Sequence, residues 1–134
     1  MSTITKLADH MARMAKLEES LRKMPEGLAP VDHVFADGVY ARCMNIPKGT
    51  MLTGKIHKTQ HLNIVAKGRI LVATEDGTKE ISAPCIFVSE PGTKRAGYAL
   101  EDTVWINIHV TDETDLDKIE EQVIDNSKLI SEVK

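Results

Sequence analysis

The chain has 134 residues, enough for one domain with a single core and too few for two of ordinary size. Hydrophobic residues make up 42% and charged residues 28%, which argues against disorder, and a formal charge of −3 supplies no broad basic field for general nucleic-acid binding. No signal-peptide run opens the sequence and no stretch approaches the roughly 18 apolar residues of a membrane span, so the expectation is a cytoplasmic protein without a membrane partner.

In residues 1–30, Ile4, Leu7, Met11, Met14, Leu17, Leu21 and Met24 recur by threes and fours behind Ser2 or Thr3, which predicts a capped amphipathic helix. Pro25, Gly27 and Pro30 end it. From 31 to 111, segments rich in Val, Ile and Tyr alternate with turn signals at Pro47-Lys48-Gly49, Lys67-Gly68, Glu75-Asp76-Gly77, Pro84 and Pro91-Gly92. The predicted strands are 38–46, 51–57, 61–66, 69–74, 78–82, 85–89, 94–99 and 103–110, and the fold class is all-β, a sandwich or barrel. In residues 112–134 the chain turns acidic, and Leu116, Ile119, Val123 and Ile124 predict a short amphipathic helix capped by Thr114 or Asp112, followed by a tail. Cys43 and Cys85 lie in apolar stretches without CxxC spacing and read as buried thiols, and His10 and His33 read as surface or structural residues.

Side chains alternate faces along a strand, so parity shows what each face meets. Leu52 and Ile56 oppose Thr53, Lys55 and His57; Leu62 and Ile64 oppose His61, Asn63 and Val65; Val104, Ile106, Ile108 and Val110 oppose Trp105, Asn107 and His109. A strand face in water favours Lys and Glu, whereas this one gathers His and Asn. The reading is that the polar face lines a lumen and the aliphatic face is buried under the N-terminal helix, a second sheet or another subunit.

Gly49, Lys55-Ile56-His57, His61 and Gly68 stand at the spacings of the first cupin motif, and Glu90-Pro91-Gly92-Thr93-Lys94-Arg95 echoes the second. On these motifs, residues 38–110 resemble the cupin superfamily. The resemblance implies a single cupin-type β-barrel, a double-stranded β-helix or jelly roll, here flanked by the two helices. Two identities of the first motif depart: Lys55 stands at the first metal-binding His and His61 at the Glu, while His57 matches the second His. Arg95 stands at the His of the second motif. Gly54 to His61, Pro91 to Arg95 and Trp105 to Val110 are also similar to small single-domain cupins of tailed phages, which implies a viral origin, in host cytoplasm or virion, and supplies no activity.

Three readings of the pocket stay open. In the first, His57, His61 and His109 converge as neutral imidazoles on zinc, iron, nickel or copper in a metal-dependent enzyme of dioxygenase or isomerase type, with Lys55 and Arg95 opposing the ion's charge. In the second, Lys55 and Arg95 donate to a small anionic ligand such as a nucleotide or sugar phosphate, sequestered by a phage protein, with Trp105 stacked on its ring and Asn63 and Asn107 on the same wall. A catalytic variant has two histidines cleave a phosphodiester as general acid and base without metal. In the third, the barrel is a virion component. A homodimer through the barrel face and N-terminal helix is expected, with Met11, Met14 and Met24 suited to the contact.

Overall fold

The computed structural model describes residues 29–74 and 77–125, together with Ala12. The helix expected within residues 1–30 and the tail beyond Asp125 lie outside the described residues.

Nine strands and one helix follow in chain order among these residues: β1 (Val31–Ala36), β2 (Val39–Ile46), β3 (Met51–Thr53), β4 (His61–Lys67), β5 (Arg69–Thr74), β6 (Gly77–Ser82), β7 (Cys85–Ser89), β8 (Ala96–Ala99), β9 (Thr103–Val110) and α1 (Leu116–Val123). They build two antiparallel sheets, ordered β1-β2-β9-β4-β7 and β3-β8-β5-β6. The chain crosses between sheets at tight corners. Gly68, between β4 and β5, has φ +87°, and a Cβ there would lie 2.3 Å from the Asp102 carbonyl oxygen and 2.7 Å from Thr103 Oγ1, so only glycine fits this corner.

Register fixes which side chains share a wall. In the five-stranded sheet, Asn63 is opposite Asn107, Val65 opposite Trp105, Arg42 opposite Asn107 and Tyr40 opposite His109. Along β9 the environment changes from one end to the other. Trp105 joins Ile46, Val65, Ile70, Val72, Ile81 and Ala99 in an apolar core between the sheets. His109, two turns of the pleat further, lies against Tyr40, which packs with Ile119, Val123 and Ile124 in a second cluster beneath α1. The barrel is thus filled at one end by side chains and covered at the other by a helix, which leaves a space between.

Four expectations are corrected. Val31–Ala36 forms an edge strand that sequence pattern did not mark, because its side chains are mostly exposed and show no clean alternation. The strand expected over 51–57 stops at Thr53; Gly54 N–H donates to the Arg95 carbonyl at 2.9 Å, and His57 rejoins the structure through an isolated bridge to Ile124. The cap of α1 is Asp115, whose carboxylate accepts from the backbone of Asp117 and Lys118, since Thr111 and Glu113 use their side chains to shape the preceding turn. The second sheet covers the polar side of β4 and β9 and not the aliphatic side, where Leu62 and Val110 remain 43% and 92% exposed.

Candidate functional site

The space between the sheets is a cavity of about 470 Å³, within the range that holds a small ligand. Leu52, Ile70 and Val72 line it from the four-stranded sheet; Arg42, Met44, Ile46, His61, Asn63, Trp105, Asn107 and His109 line it from the five-stranded sheet, with His57 and Arg95 from loops; and Ile119, Val123 and Ile124 lie at the mouth.

The polar wall is organised by Trp105. An indole N–H only donates, so Asn63 must turn Oδ1 towards Trp105 Nε1, at 3.0 Å, and this directs Asn63 Nδ2 to Ser89 Oγ at 2.7 Å. The same Oδ1 accepts from Asn107 Nδ2 at 3.1 Å, and Nδ2 stands 3.2 Å from His61 Nε2. His61 Nε2 is therefore an acceptor, and the proton of neutral His61 lies on Nδ1. Asn63 is 1% exposed and Trp105 8%, so the network is sealed from water.

At the far end of this network three imidazoles gather. Ring centroids are 4.2 Å apart for His57 and His61, 4.9 Å for His61 and His109, and 5.3 Å for His57 and His109. They come from a loop, the first residue of β4 and the penultimate residue of β9. The loop is pinned where Lys58 N–H donates to the Val123 carbonyl, Gly92 N–H to His57 and Asp125 N–H to Ile56. Burial holds His57 at about 3, with the neighbouring His61 and His109 adding to the effect. Burial likewise holds His109 at about 4 and depresses His61. Each ring is neutral at pH 7; His57 and His109 can offer a lone pair, while His61 already uses that of Nε2 to accept from Asn107 and offers it to a ligand only by giving up that bond.

A fit for a metal ion can be judged from these facts. With nitrogen about 2.0–2.1 Å from the metal, three imidazoles around one tetrahedral ion have ring centroids roughly 5 Å apart. The separations of His109 from the other two rings match this, at 4.9 and 5.3 Å, whereas His57 and His61 are closer, at 4.2 Å; the donors are of the right kind. Among the described residues, however, no three His, Cys, Asp or Glu side chains already form a metal-holding group. The near-parallel His57 and His109 rings, 19° between planes, explain why, because lone pairs lie in the ring planes.

The cations of the site divide. Lys55 is exposed at the mouth and forms an ion pair with Glu120 of α1, so its charge is compensated. Arg95 turns inward: Nη1 donates to Ser89 Oγ at 2.6 Å and the guanidinium lies over Phe87, 5.4 Å from the ring centre. Arg42, missed at the level of sequence because β2 has apolar residues on both faces, lines the cavity and lowers the pKa of His57 and His109. Among the described residues it has no hydrogen bond or ion pair. Tyr40, unmarked at the level of sequence, also lines the cavity; its hydroxyl, whose pKa burial raises, meets His33 Nδ1 at 2.6 Å, in keeping with a structural place for His33.

The neutral imidazoles predict a pH dependence. The unfolded chain takes up protons at His57 and His109 below about pH 6.5, whereas the folded chain resists them until about pH 4. Stability therefore falls as pH drops through this window. The urea midpoint is expected to be lower at about pH 5 than at about pH 7; equal midpoints would mean that the rings charge freely in the fold.

No family model and no curated protein sequence matches the chain. Solved structures do share its architecture. KdgF from a Halomonas species superposes with a TM-score of 0.56 at 18% identity, over 72% of this chain and 90% of that one. An RmlC-like cupin from Shewanella frigidimarina NCIMB 400 gives 0.55 at 15% identity, over 69% and 83%. A cupin superfamily protein from Desulfitobacterium hafniense DCB-2 gives 0.54 at 13% identity, over 69% and 86%. The likeness is one of fold, a cupin barrel. Among the described residues no helix is long and apolar enough to cross a membrane.

Proposed function

We propose that the lumen binds a small organic acid against a divalent transition metal carried by His57, His61 and His109. The observation that carries the reading is the cluster of three neutral imidazoles, His61 and His109 buried and His57 half-buried, with centroids 4.2–5.3 Å apart. Three neutral nitrogens with a free coordination position suit zinc, nickel or ferrous iron. The metal, when bound, supplies Lewis acidity and a seat for a carboxylate or phosphate oxygen.

Arg42 and Arg95 argue for the acid. Both oppose a lone dication by Coulomb repulsion, and an anion placed between metal and guanidinium removes that opposition. Metal and acid should each raise the affinity of the other, as linkage requires. A nucleotide is less well supported than a compact acid. Trp105 is 8% exposed and meets Phe87 edge to face, which leaves little ring surface for a base. Metal-free acid–base cleavage also loses its footing, because at neutral pH His57 and His109 hold almost no proton to give.

A second reading, an acid-binding pocket without metal, is favoured by one observation: Arg42 lines the cavity and has no hydrogen bond or ion pair among the described residues. One experiment separates the two. The full chain is stripped with chelator and titrated with Zn(II), Ni(II) or Fe(II), with and without a panel of small carboxylates and phosphates. The expected result is one metal per chain, held about tenfold more tightly when an acid is present. An acid-dependent thermal shift in the stripped protein, lost in Arg42→Ala and unaffected by metal, would replace this reading with the second. No binding of any metal under either condition would overturn it.

A further inference from the structure

The lining of the cavity changes character along the strands. Inward positions of β2 pair with those of β9 as Tyr40 with His109, Arg42 with Asn107, Met44 with Trp105 and Ile46 with Thr103. The first two pairs are polar. The third, continued on the other side of β9 by Val65, is apolar, and its one side-chain donor, the Trp105 N–H, is taken by Asn63. The facing sheet sets Leu52, Gly97 and Val72 in one row across β3, β8 and β5, again without a polar side chain. Met44 and Leu52 are only half-buried and line the cavity, and Gly97 lines it without a side chain.

We infer that the acid is an aliphatic monocarboxylate, its head among the imidazoles and Arg42 and its tail between the Met44 and Leu52 rows. The inference rests on the reading that the site holds an acid, and adds what the rest of that molecule must be. One carboxylate suits the charges: Arg95 already donates to Ser89 and lies over Phe87, whereas Arg42 has no such partner among the described residues. Successive inward positions on β2 lie about 7 Å apart and an extended hydrocarbon advances roughly 1.25 Å per bond, so a tail of about five carbons carries contact from Arg42 to Met44. The cavity, about 470 Å³, has room for it. A sugar acid is the poorer fit, because its hydroxyls would leave water for rows that hold no partner for them. Each methylene buried there instead raises affinity about fourfold. Gly97 sets the room available. A Cβ there would meet Ile70 Cδ1 at 3.0 Å, the flexible end of a side chain, so alanine is accommodated while narrowing the row.

The test is calorimetric titration of the full chain, with Zn(II) and again after chelation, by acetate, butyrate, hexanoate and octanoate, with gluconate as the hydroxylated six-carbon acid. The expected result is affinity rising about fourfold per methylene, so that hexanoate binds at least about 100-fold more tightly than acetate and gluconate no more tightly than acetate. Gly97→Ala, which fills the row, and Met44→Ser, which makes it polar, should each flatten the rise. A change in slope against chain length is not produced by a general loss of stability, and either variant, once folded, reports it. Acetate and hexanoate bound equally tightly, or gluconate bound more tightly than hexanoate, would overturn the inference and leave the acid site standing. A rise that neither variant flattens would also overturn it, because the tail would then lie elsewhere. No binding of any of these acids, with or without metal, would overturn the inference and the acid site together.

Discussion

His57→Ala is expected to lower the affinity for Zn(II) or Ni(II) about 100-fold or more, read by isothermal titration calorimetry near neutral pH. Substitutions of groups that merely orient metal-bound histidines already cost 10–100-fold, and His57 is placed here as a direct ligand. It is also the cleanest of the three to remove. His57 is half-buried on a loop whose backbone is held by Val123 and Gly92, so truncation leaves the strands intact. Removing His61 would instead leave an Asn107 N–H without its acceptor, mixing a binding effect with a folding one. An unchanged circular dichroism spectrum with unchanged metal affinity would sink the triad as a metal site.

Asn63→Ala should cost about 4 kcal/mol of folding stability, a value at the high end for a single substitution. Its amide is the hub of the polar wall, accepting from Trp105 Nε1 and Asn107 Nδ2 and donating to Ser89 Oγ. Alanine leaves two buried donors without acceptors, each costing about 1–3 kcal/mol, and adds a small void. Ser89 suffers less because Arg95 still donates to it. Trp105 is the single tryptophan of the chain, so its fluorescence during denaturant unfolding follows the network directly. A loss below about 1 kcal/mol would mean that water takes the amide's place and that the wall is not sealed.

Parity made much of this legible beforehand. His61, Asn63, Trp105, Asn107 and His109 were placed on one wall from alternation alone, and the spacing from Gly49 to Gly68 anticipated the barrel. What alternation could not supply was the partner of each charge. Lys55 sits at a motif position, yet its counterion is Glu120 on a helix distant in sequence. Arg42 gave no signal because Val39 to Ile46 lacks a polar face, and its role follows only from the register that sets it opposite Asn107. His57 was assigned to a strand that in fact ends four residues earlier, and it reaches the other rings because Ile124 holds its loop. Local pattern specifies the side a residue faces; long-range pairing decides what it meets there.

The strand order has a consequence for how the barrel comes into being. β9, the last strand among the described residues, occupies the centre of its sheet, between β2 and β4. Until Thr103–Val110 has been synthesised and inserted, β1-β2 and β4-β7 are separate ribbons with open hydrogen-bonding edges facing each other. Such edges are templates for pairing with other chains, and closure across so long a sequence separation is slow. The same strand delivers His109, so the nascent chain passes from two sticky halves to a closed sheet and from two imidazoles to three in one event.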